Sequence, residues 1–341
     1  MFDSPKEVAR DADIVTNDLP LPQSKIKIMD TLPVLSLKKL QEIDVSNSDN
    51  AEHKRLYDIC LEHGFFYLKD HGISQDLVQK TIDASRNFFE LPEAIKQQYA
   101  QDKQTVYPKI SRGYSPLYGE TLNGNFGPDP KELFDLGIEH PPSDKPFTGP
   151  NLIPDDTVAP DFAKFQYQLQ GEILSKIVPH LLRALAVALN LEPNWFDPYF
   201  DDPVLIHRTI YYPSESGFAG KHTDLCMFTI LIQEYFSTPS LRVYTQNNWL
   251  DAMCLEDAFV VNLGDLLQLW TNGLFVSTPH EVIHKNPTSR ISIPFFVHPN
   301  IDTVVQPIGT NQKFKSMDIM LKSFNAIWVT KEGSGRVKEL K

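Results

Sequence analysis

Residues 290–297 read Arg-Ile-Ser-Ile-Pro-Phe-Phe-Val. Side chains alternate along a strand, so Arg290, Ser292, Pro294 and Phe296 share one face. An arginine aimed into a barrel or sandwich is costly unless it meets an anion. Its planar fork suits a carboxylate, and Ser292 adds a hydroxyl donor two residues on. The alternative partner for Arg290 is an Asp or Glu in a buried ion pair.

Upstream of this stretch, from Pro203 onward, short apolar runs are broken by Gly, Pro, Asn and Asp. The runs are 204–212, 226–233, 241–245, 258–263, 266–270 and 280–284; with 290–297 they predict seven short strands of a sandwich or barrel. On the first of them Arg208, Ile210 and Tyr212 share a face, and Tyr212 offers a further donor to whatever Arg290 binds.

The earlier chain mixes helices with a few strands. Residues 1–31 are a polar tail, and 32–37 is an apolar run in which Pro33 predicts an edge strand or a strand's start. A helix is expected over 50–63, stopped by Gly64, then a strand over 65–68. Ser74 is placed to cap a helix to about residue 91, and Pro92 and Glu93 begin a shorter one. Residues 101–160 are irregular, with short strands at 112–114 and 133–137. Long irregular segments are commonly functional, and Arg112, Tyr114 and Phe126 are candidate pocket contacts. Over 161–190 an apolar residue recurs every four positions from Phe165 to Leu189, predicting a helix that Pro179 kinks or splits. A last helix is expected over 316–329.

Composition bounds the partners. The chain has 341 residues, 41 % of them hydrophobic, and a formal net charge of −12. An acidic balance argues against nucleic acid and anionic membranes, which select basic faces. No run is long and apolar enough for a transmembrane helix, and the N-terminus has no signal-peptide pattern. Cys60, Cys226 and Cys254 form no zinc-type pair, which fits a reducing compartment. A cytoplasmic monomer acting on a small molecule is the expectation. Cys226 is read as a packed thiol rather than a ligand.

Metal-ligating residues are the remaining signal. His222 and Asp224 flank one residue, and on extended chain both point the same way. His280 is the distant third ligand. Two imidazoles and a carboxylate can take one face of an octahedral metal and leave the other face open. Competing ligands are weaker. His284 lies more than about 12 Å along the strand from His280, His207 sits on the opposite face from Arg208 and Tyr212, and His298 falls at a strand's end.

The sequence resembles the 2-oxoglutarate/Fe(II)-dependent dioxygenase superfamily, in its isopenicillin N synthase-like branch. The matching segments run in order along the chain: Leu32-Pro33-Val34-Leu35, Gly64-Phe65-Phe66-Tyr67, His71-Gly72-Ile73, Tyr211-Tyr212-Pro213 and Lys221-His222-Thr223-Asp224. They continue through Val261-Asn262-Leu263-Gly264-Asp265, Trp270-Thr271-Asn272-Gly273, Ser277-Thr278-Pro279-His280 and Arg290 to Phe296. The resemblance implies a mainly β fold with flanking helices and a double-stranded β-helix (jelly-roll) core. It implies Fe(II) on His222, Asp224 and His280, with 2-oxoglutarate chelating the iron and reaching Arg290, Ser292 and Tyr212 by its far carboxylate. It implies O2-dependent oxidation of a small molecule, by hydroxylation or desaturation, coupled to decarboxylation of 2-oxoglutarate to succinate and CO2.

The expected organisation is a tail over 1–31, an N-terminal region over 32–145, a long helical segment over 146–200, the jelly-roll core over 201–300 and a C-terminal helix and tail over 301–341. Two positions depart from the family's pattern: Ile210 where many members carry Asn, and Leu225-Cys226 where many carry Tyr-Gly. An Fe(II) oxidase that does not use 2-oxoglutarate is the nearest alternative. A zinc hydrolase and a non-catalytic binding module are more distant ones.

Overall fold

The computed structural model describes residues 31–42, 51–101, 112–122 and 127–327. Phe126, one of the candidate pocket contacts, lies outside them, as does the tail over 1–30. β1 (Val34–Ser36) is an edge strand running parallel to β2, as Pro33 requires. The apolar run does not continue as strand. Ser36 accepts a bond from the Lys39 N–H and turns the chain into α1 (Leu37–Gln41).

α2 (Ala51–Glu62) buries Leu56, Ile59 and Cys60 and ends at Gly64, whose φ is +61°. A Cβ there would overlap the carbonyl oxygen of Val276. β2 (Phe65–Lys69) follows, with Phe65 to Leu68 all buried. α3 (Gln75–Phe89) starts after Ser74, but the Ser74 side chain makes no capping bond. α4 (Glu93–Lys96) is one turn. β3 (Gly113–Ser115) and β4 (Glu132–Leu136) pair with each other across the irregular segment. The expected long helix is two helices, α5 (Phe162–Lys176) and α6 (Val178–Ala188). They break at Ile177 because Pro179 has no N–H to offer and crowds the preceding turn. Within 146–200 helix occupies only these spans and a short 3-10 turn over 197–199.

The second half builds the two sheets. Its elements are β5 (Pro203–Tyr212), β6 (Gly217–His222), β7 (Phe228–Gln233), β8 (Leu241–Thr245), β9 (Asn248–Ala252), β10 (Phe259–Leu263), α7 (Asp265–Trp270), β11 (His280–His284) and β12 (Arg290–Asn300). The major sheet has the order β1-β2-β10-β7-β12-β5-β4-β3, and the minor sheet β6-β11-β8-β9. After a two-stranded ribbon, α8 (Ser316–Ile327) closes the described chain. Among the described residues no helix is long and apolar enough to cross a membrane.

One strand expectation is corrected, and two unexpected strands are added. Residues 266–270 form α7, because Leu266, Leu267 and Trp270 bury one helical face and Asp265 favours the N-terminal turn. A five-residue apolar run cannot separate helix from strand by period alone. β6 and β9 are strands that the sequence does not announce, since Gly-Phe-Ala-Gly-Lys-His and Asn-Trp-Leu-Asp-Ala lack an alternating apolar face.

Strand parity on β12 sorts the core from the site. Ile291, Ile293, Phe295 and Val297 join the large apolar cluster that includes buried residues of α3, α5 and α6. Arg290, Ser292, Pro294, Phe296 and His298 line an internal cavity instead. Minor-sheet residues Ala219, His280 and Val282 line it too, so the two sheets enclose it.

Candidate active site

The cavity holds a three-residue ligand cluster. His222 ends β6 and His280 begins β11, and the two are direct partners in the ladder. Asp224 follows two residues after His222, in the loop before β7. One ligand atom from each of the three lies within 4.8 Å of the others. Asp224 Oδ1 is 3.8 Å from His222 Nε2 and 3.7 Å from His280 Nε2.

Hydrogen bonds around the cluster aim it. His222 Nδ1 lies 2.6 Å from the Gly220 carbonyl and His280 Nδ1 3.2 Å from that of Thr278. A carbonyl only accepts, so each Nδ1 carries the proton and each Nε2 keeps its lone pair towards the centre. Asp224 Oδ2 accepts from Thr229 Oγ1 at 2.5 Å and Asn262 Nδ2 at 2.7 Å. Its other oxygen, Oδ1, is the one facing the imidazoles. Burial and the neighbouring His280 push the His222 imidazole down to about 3. Burial opposes the Asp224 charge, but His280, His222 and the two hydrogen bonds outweigh it and keep the carboxyl below its ordinary range.

The β10–α7 turn clasps the loop that carries Asp224. Asp265 N–H donates to the Asp224 carbonyl at 2.7 Å, and Gly264 N–H to that of Met227 at 3.1 Å. Thr223 Oγ1 donates to Asp265 at 3.0 Å. A Cβ at Gly264 would overlap the Cys226 carbonyl oxygen, so this close approach requires glycine.

Arg290 lines the same cavity and is 1 % exposed. Its Nη2 donates to the neutral Gln233 Oε1 at 3.0 Å, while its buried Nη1 has no partner. Its guanidinium sits 5.1 Å from the ring centroid of Tyr212, its partner in the β12–β5 ladder. Among the described residues no carboxylate is within ion-pair distance of Arg290, so the buried ion-pair alternative is not realised. Ser292 and Tyr212 are buried in the same wall, and burial raises the Tyr212 phenol above its ordinary range. All six candidate residues therefore meet in one cavity.

The weaker candidates disperse. His207 stacks on Phe295 at 4.2 Å, away from the cavity. His284 is bound by Ser240 at 3.0 Å and the Thr288 carbonyl at 2.7 Å. Arg112 braces a loop through the carbonyls of Gly149, Ile138 and Phe147, and Tyr114 donates to Glu93 and Glu132. Neither lines the cavity. Cys226 is fully buried in the cavity wall, 3.2 Å from Thr229 Oγ1, and burial pushes its thiol up. His298 is a cavity residue, because β12 runs on to Asn300 rather than ending before it.

Sequence reasoning missed a buried charge network in the same wall. Arg208 grips Asp135 through Nε at 2.7 Å and Nη2 at 2.9 Å, and Glu120 through Nη1 at 2.8 Å. Lys131 pairs with Glu120 at 2.7 Å and Asp129 at 2.9 Å. Asp129 in turn accepts from the Gly220 N–H at 3.2 Å, two residues before His222. Burial opposes the Glu120 charge, yet Arg208 and Lys131 hold its carboxyl down at about 2. The parity of Arg208 with Tyr212 is the only signal of this network in the sequence. Glu120, Asp129 and Lys131 sit in a polar irregular stretch that reads as solvated loop.

Comparison with known proteins points to one superfamily. Residues 203–299 match the family model of the 2OG-Fe(II) oxygenase superfamily, and residues 32–156 that of the non-haem dioxygenase in morphine synthesis N-terminal region. A probable iron/ascorbate oxidoreductase of Dictyostelium discoideum is 30 % identical over 326 residues, covering 83 % of this chain and 88 % of its own. A homoarginine-6-hydroxylase of Glycine max is 31 % identical over 307 residues, covering 85 % and 90 %. In fold, the crystal structure of a full-length Neurospora crassa protein in complex with alpha-KG and thymine superposes with a TM-score of 0.73 at 24 % identity, covering 87 % of this chain and 98 % of that one. Two sheets around a His-Asp-His cluster, a buried arginine without an anion, and relatives matched along most of their length have one common reading: the chain belongs to the 2OG-Fe(II) oxygenase superfamily, non-haem iron enzymes that couple decarboxylation of 2-oxoglutarate to oxidation of a small organic molecule.

Proposed function

We propose that His222, Asp224 and His280 hold the iron and that Arg290, with Ser292 and Tyr212, holds the far carboxylate of 2-oxoglutarate. The observation that carries this is the buried, unpartnered Nη1 of Arg290 in the cavity of the ligand cluster. A buried guanidinium without an anion costs several kcal/mol, and a carboxylate removes that cost. The donor set suits the metal: two neutral imidazoles with free Nε2 atoms and one carboxylate oxygen match a facial triad with open positions.

Bound iron(II) and 2-oxoglutarate supply the O2-dependent oxidising chemistry, with succinate and CO2 as the co-substrate's products. The protein's part is orientation and exclusion of water. Backbone carbonyls at Gly220 and Thr278 fix the two imidazole tautomers. Thr229 and Asn262 occupy one Asp224 oxygen and leave the other for the metal. Phe65, whose ring is 5.2 Å from that of His280, gives the metal site an apolar side. Arg290, through its unpartnered Nη1 and its planar guanidinium, would hold the co-substrate's far carboxylate, a role a lysine's point charge does not reproduce.

The test is a turnover assay for succinate with the His222→Ala and Arg290→Lys variants. His222→Ala is expected to lose iron binding and activity, and Arg290→Lys to raise the KM for 2-oxoglutarate while retaining iron. Full activity in His222→Ala refutes the ligand assignment. Oxygen consumption without succinate would point to an oxidase. A relative named for homoarginine hydroxylation and a related fold solved with thymine supply the first two compounds to screen, one charged and one uncharged. The three cysteines, all unpaired, support a reducing compartment, and a monomer in the cytoplasm is the working state that gel filtration and fractionation test.

A further inference from the structure

The co-substrate site uses one end of the β12 face and leaves the other unassigned. His298 lies on the same cavity-lining face as Arg290 and eight residues further on. Along an extended strand that is about 27 Å, beyond the reach of a five-carbon diacid anchored at Arg290. The His298 side chain is 3 % exposed, and among the described residues its buried Nδ1 has no hydrogen-bond partner. Buried polar groups almost always find a partner. His207 also lacks one, but it is stacked against Phe295 outside the cavity, whereas His298 forms part of the cavity wall.

The surroundings of His298 define the missing partner. Burial, opposed by the Asp224 charge, holds its imidazole down at about 4, so the ring is neutral, with one donor and one acceptor. Its cross-strand neighbour Val204 packs with Met320 of α8, and Phe296 pairs with Ile206 one step along the face. Phe296, Ile206 and Met320 all line the cavity. The cavity's other charged groups are already engaged: Arg208 with Asp135 and Glu120, and Lys131 with Glu120 and Asp129. This half of the cavity therefore offers apolar surface and one neutral imidazole, with no spare charge to meet a carboxylate or an ammonium group.

We infer that the primary substrate is an uncharged molecule with a largely apolar body, and that a polar group on it hydrogen-bonds to His298, the specificity-determining residue of the site. This rests on Arg290 being the co-substrate clamp. The test is calorimetric titration of the full chain, loaded with Zn(II) and 2-oxoglutarate. The probes are indole and quinolin-2-one, with indole-3-carboxylate and tryptamine as charged counterparts. An uncharged probe is expected to bind more tightly than either charged one. His298→Ala should weaken that binding at least tenfold and His298→Asn less, with 2-oxoglutarate affinity unchanged within twofold in both. His298→Gln carries the comparison if the alanine variant does not fold. The inference is overturned if no uncharged probe binds, if a charged probe binds more tightly, if the His298 variants bind as wild type does, or if they lose 2-oxoglutarate as well. Failure of the clamp reading is separate: wild-type protein with Zn(II) would then not bind 2-oxoglutarate at all.

Discussion

Replacing Arg290 by methionine should leave stability nearly unchanged and remove the response to 2-oxoglutarate. The Arg290 side chain carries a full charge with one hydrogen bond, to a neutral amide, and a buried Nη1 without a partner. Methionine removes that buried charge and keeps an unbranched apolar stem. Exchanging buried charges for apolar groups of similar volume is commonly neutral or stabilising by about 1–4 kcal/mol. The opposing loss is the bond to Gln233, about 1.5–3 kcal/mol for a charged donor. The ligand-free variant should therefore unfold within about 2 kcal/mol of wild type. Ligand response should differ sharply. Wild type with Zn(II) gains about 2.7 kcal/mol when 2-oxoglutarate reaches one hundred times its Kd, and the variant should gain almost nothing at that concentration. Urea melts with and without 2-oxoglutarate measure both. A ligand-free destabilisation of about 3–5 kcal/mol, the cost of breaking a buried pair, together with an intact 2-oxoglutarate response, would refute the argument and make Arg290 a structural residue.

Other substitutions probe the supports of the site. Thr229→Val removes one of the two bonds that hold Asp224 Oδ2; such changes weaken metal affinity roughly 10–100-fold, which Co(II) titration reads, and Thr229→Ser should recover most of it. Glu120→Gln removes a carboxylate held at about 2 against an ordinary value of 4.5. Because the folded value is the lower one, the Glu120 contribution to stability is full above pH 4.5 and fades as pH falls towards 2. The gap between wild type and Glu120→Gln in urea melts should narrow over that range, and a gap independent of pH would count against the network. Gly64→Ala meets both a φ of +61° and the Val276 carbonyl, and should lower stability by more than about 1 kcal/mol, read as a shifted melting midpoint.

Five of the six candidate residues are legible in the sequence because their signals are local and periodic, and His280 is read only as a distant partner for His222 and Asp224. The face shared by Arg290 and Ser292 follows from the two-residue strand period, and the structure puts their alternating neighbours Ile291 and Ile293 in the core. The His222–Asp224 spacing likewise needs only an extended chain. What stays hidden depends on contacts distant in sequence. β6 cannot be read from Gly217 to His222, because its place is set by pairing with β11 rather than by an apolar face. The run 266–270 is helix because Gly264 and Asp265 are tied to the Asp224 loop, a constraint invisible in five apolar residues. Glu120 looks like a solvated charge until Arg208, 88 positions away, is brought against it, and Lys131 until it pairs with Glu120 and Asp129.

These supports share a logic that explains why the network lies where it does. The ligand cluster is assembled from β6, β11 and a loop, so its geometry depends on holding the end of β6 in place. Among the described residues β6 lies at the edge of the minor sheet and pairs only with β11. An edge strand held on one side would let His222 drift relative to His280. Asp129 supplies the second hold by accepting from the Gly220 N–H, and the Gly220 carbonyl in turn accepts from His222 Nδ1. Lys131 and Arg208 then tie Asp129 and Glu120 back to β5, the neighbour of β12. The buried charges thus link the edge strand of one sheet to the strand beside Arg290 in the other. His222, a proposed metal ligand, and Arg290, the proposed co-substrate clamp, thereby sit on or beside strands joined by a polar bridge across the cavity wall, which a purely apolar wall could pack against but not hold in register.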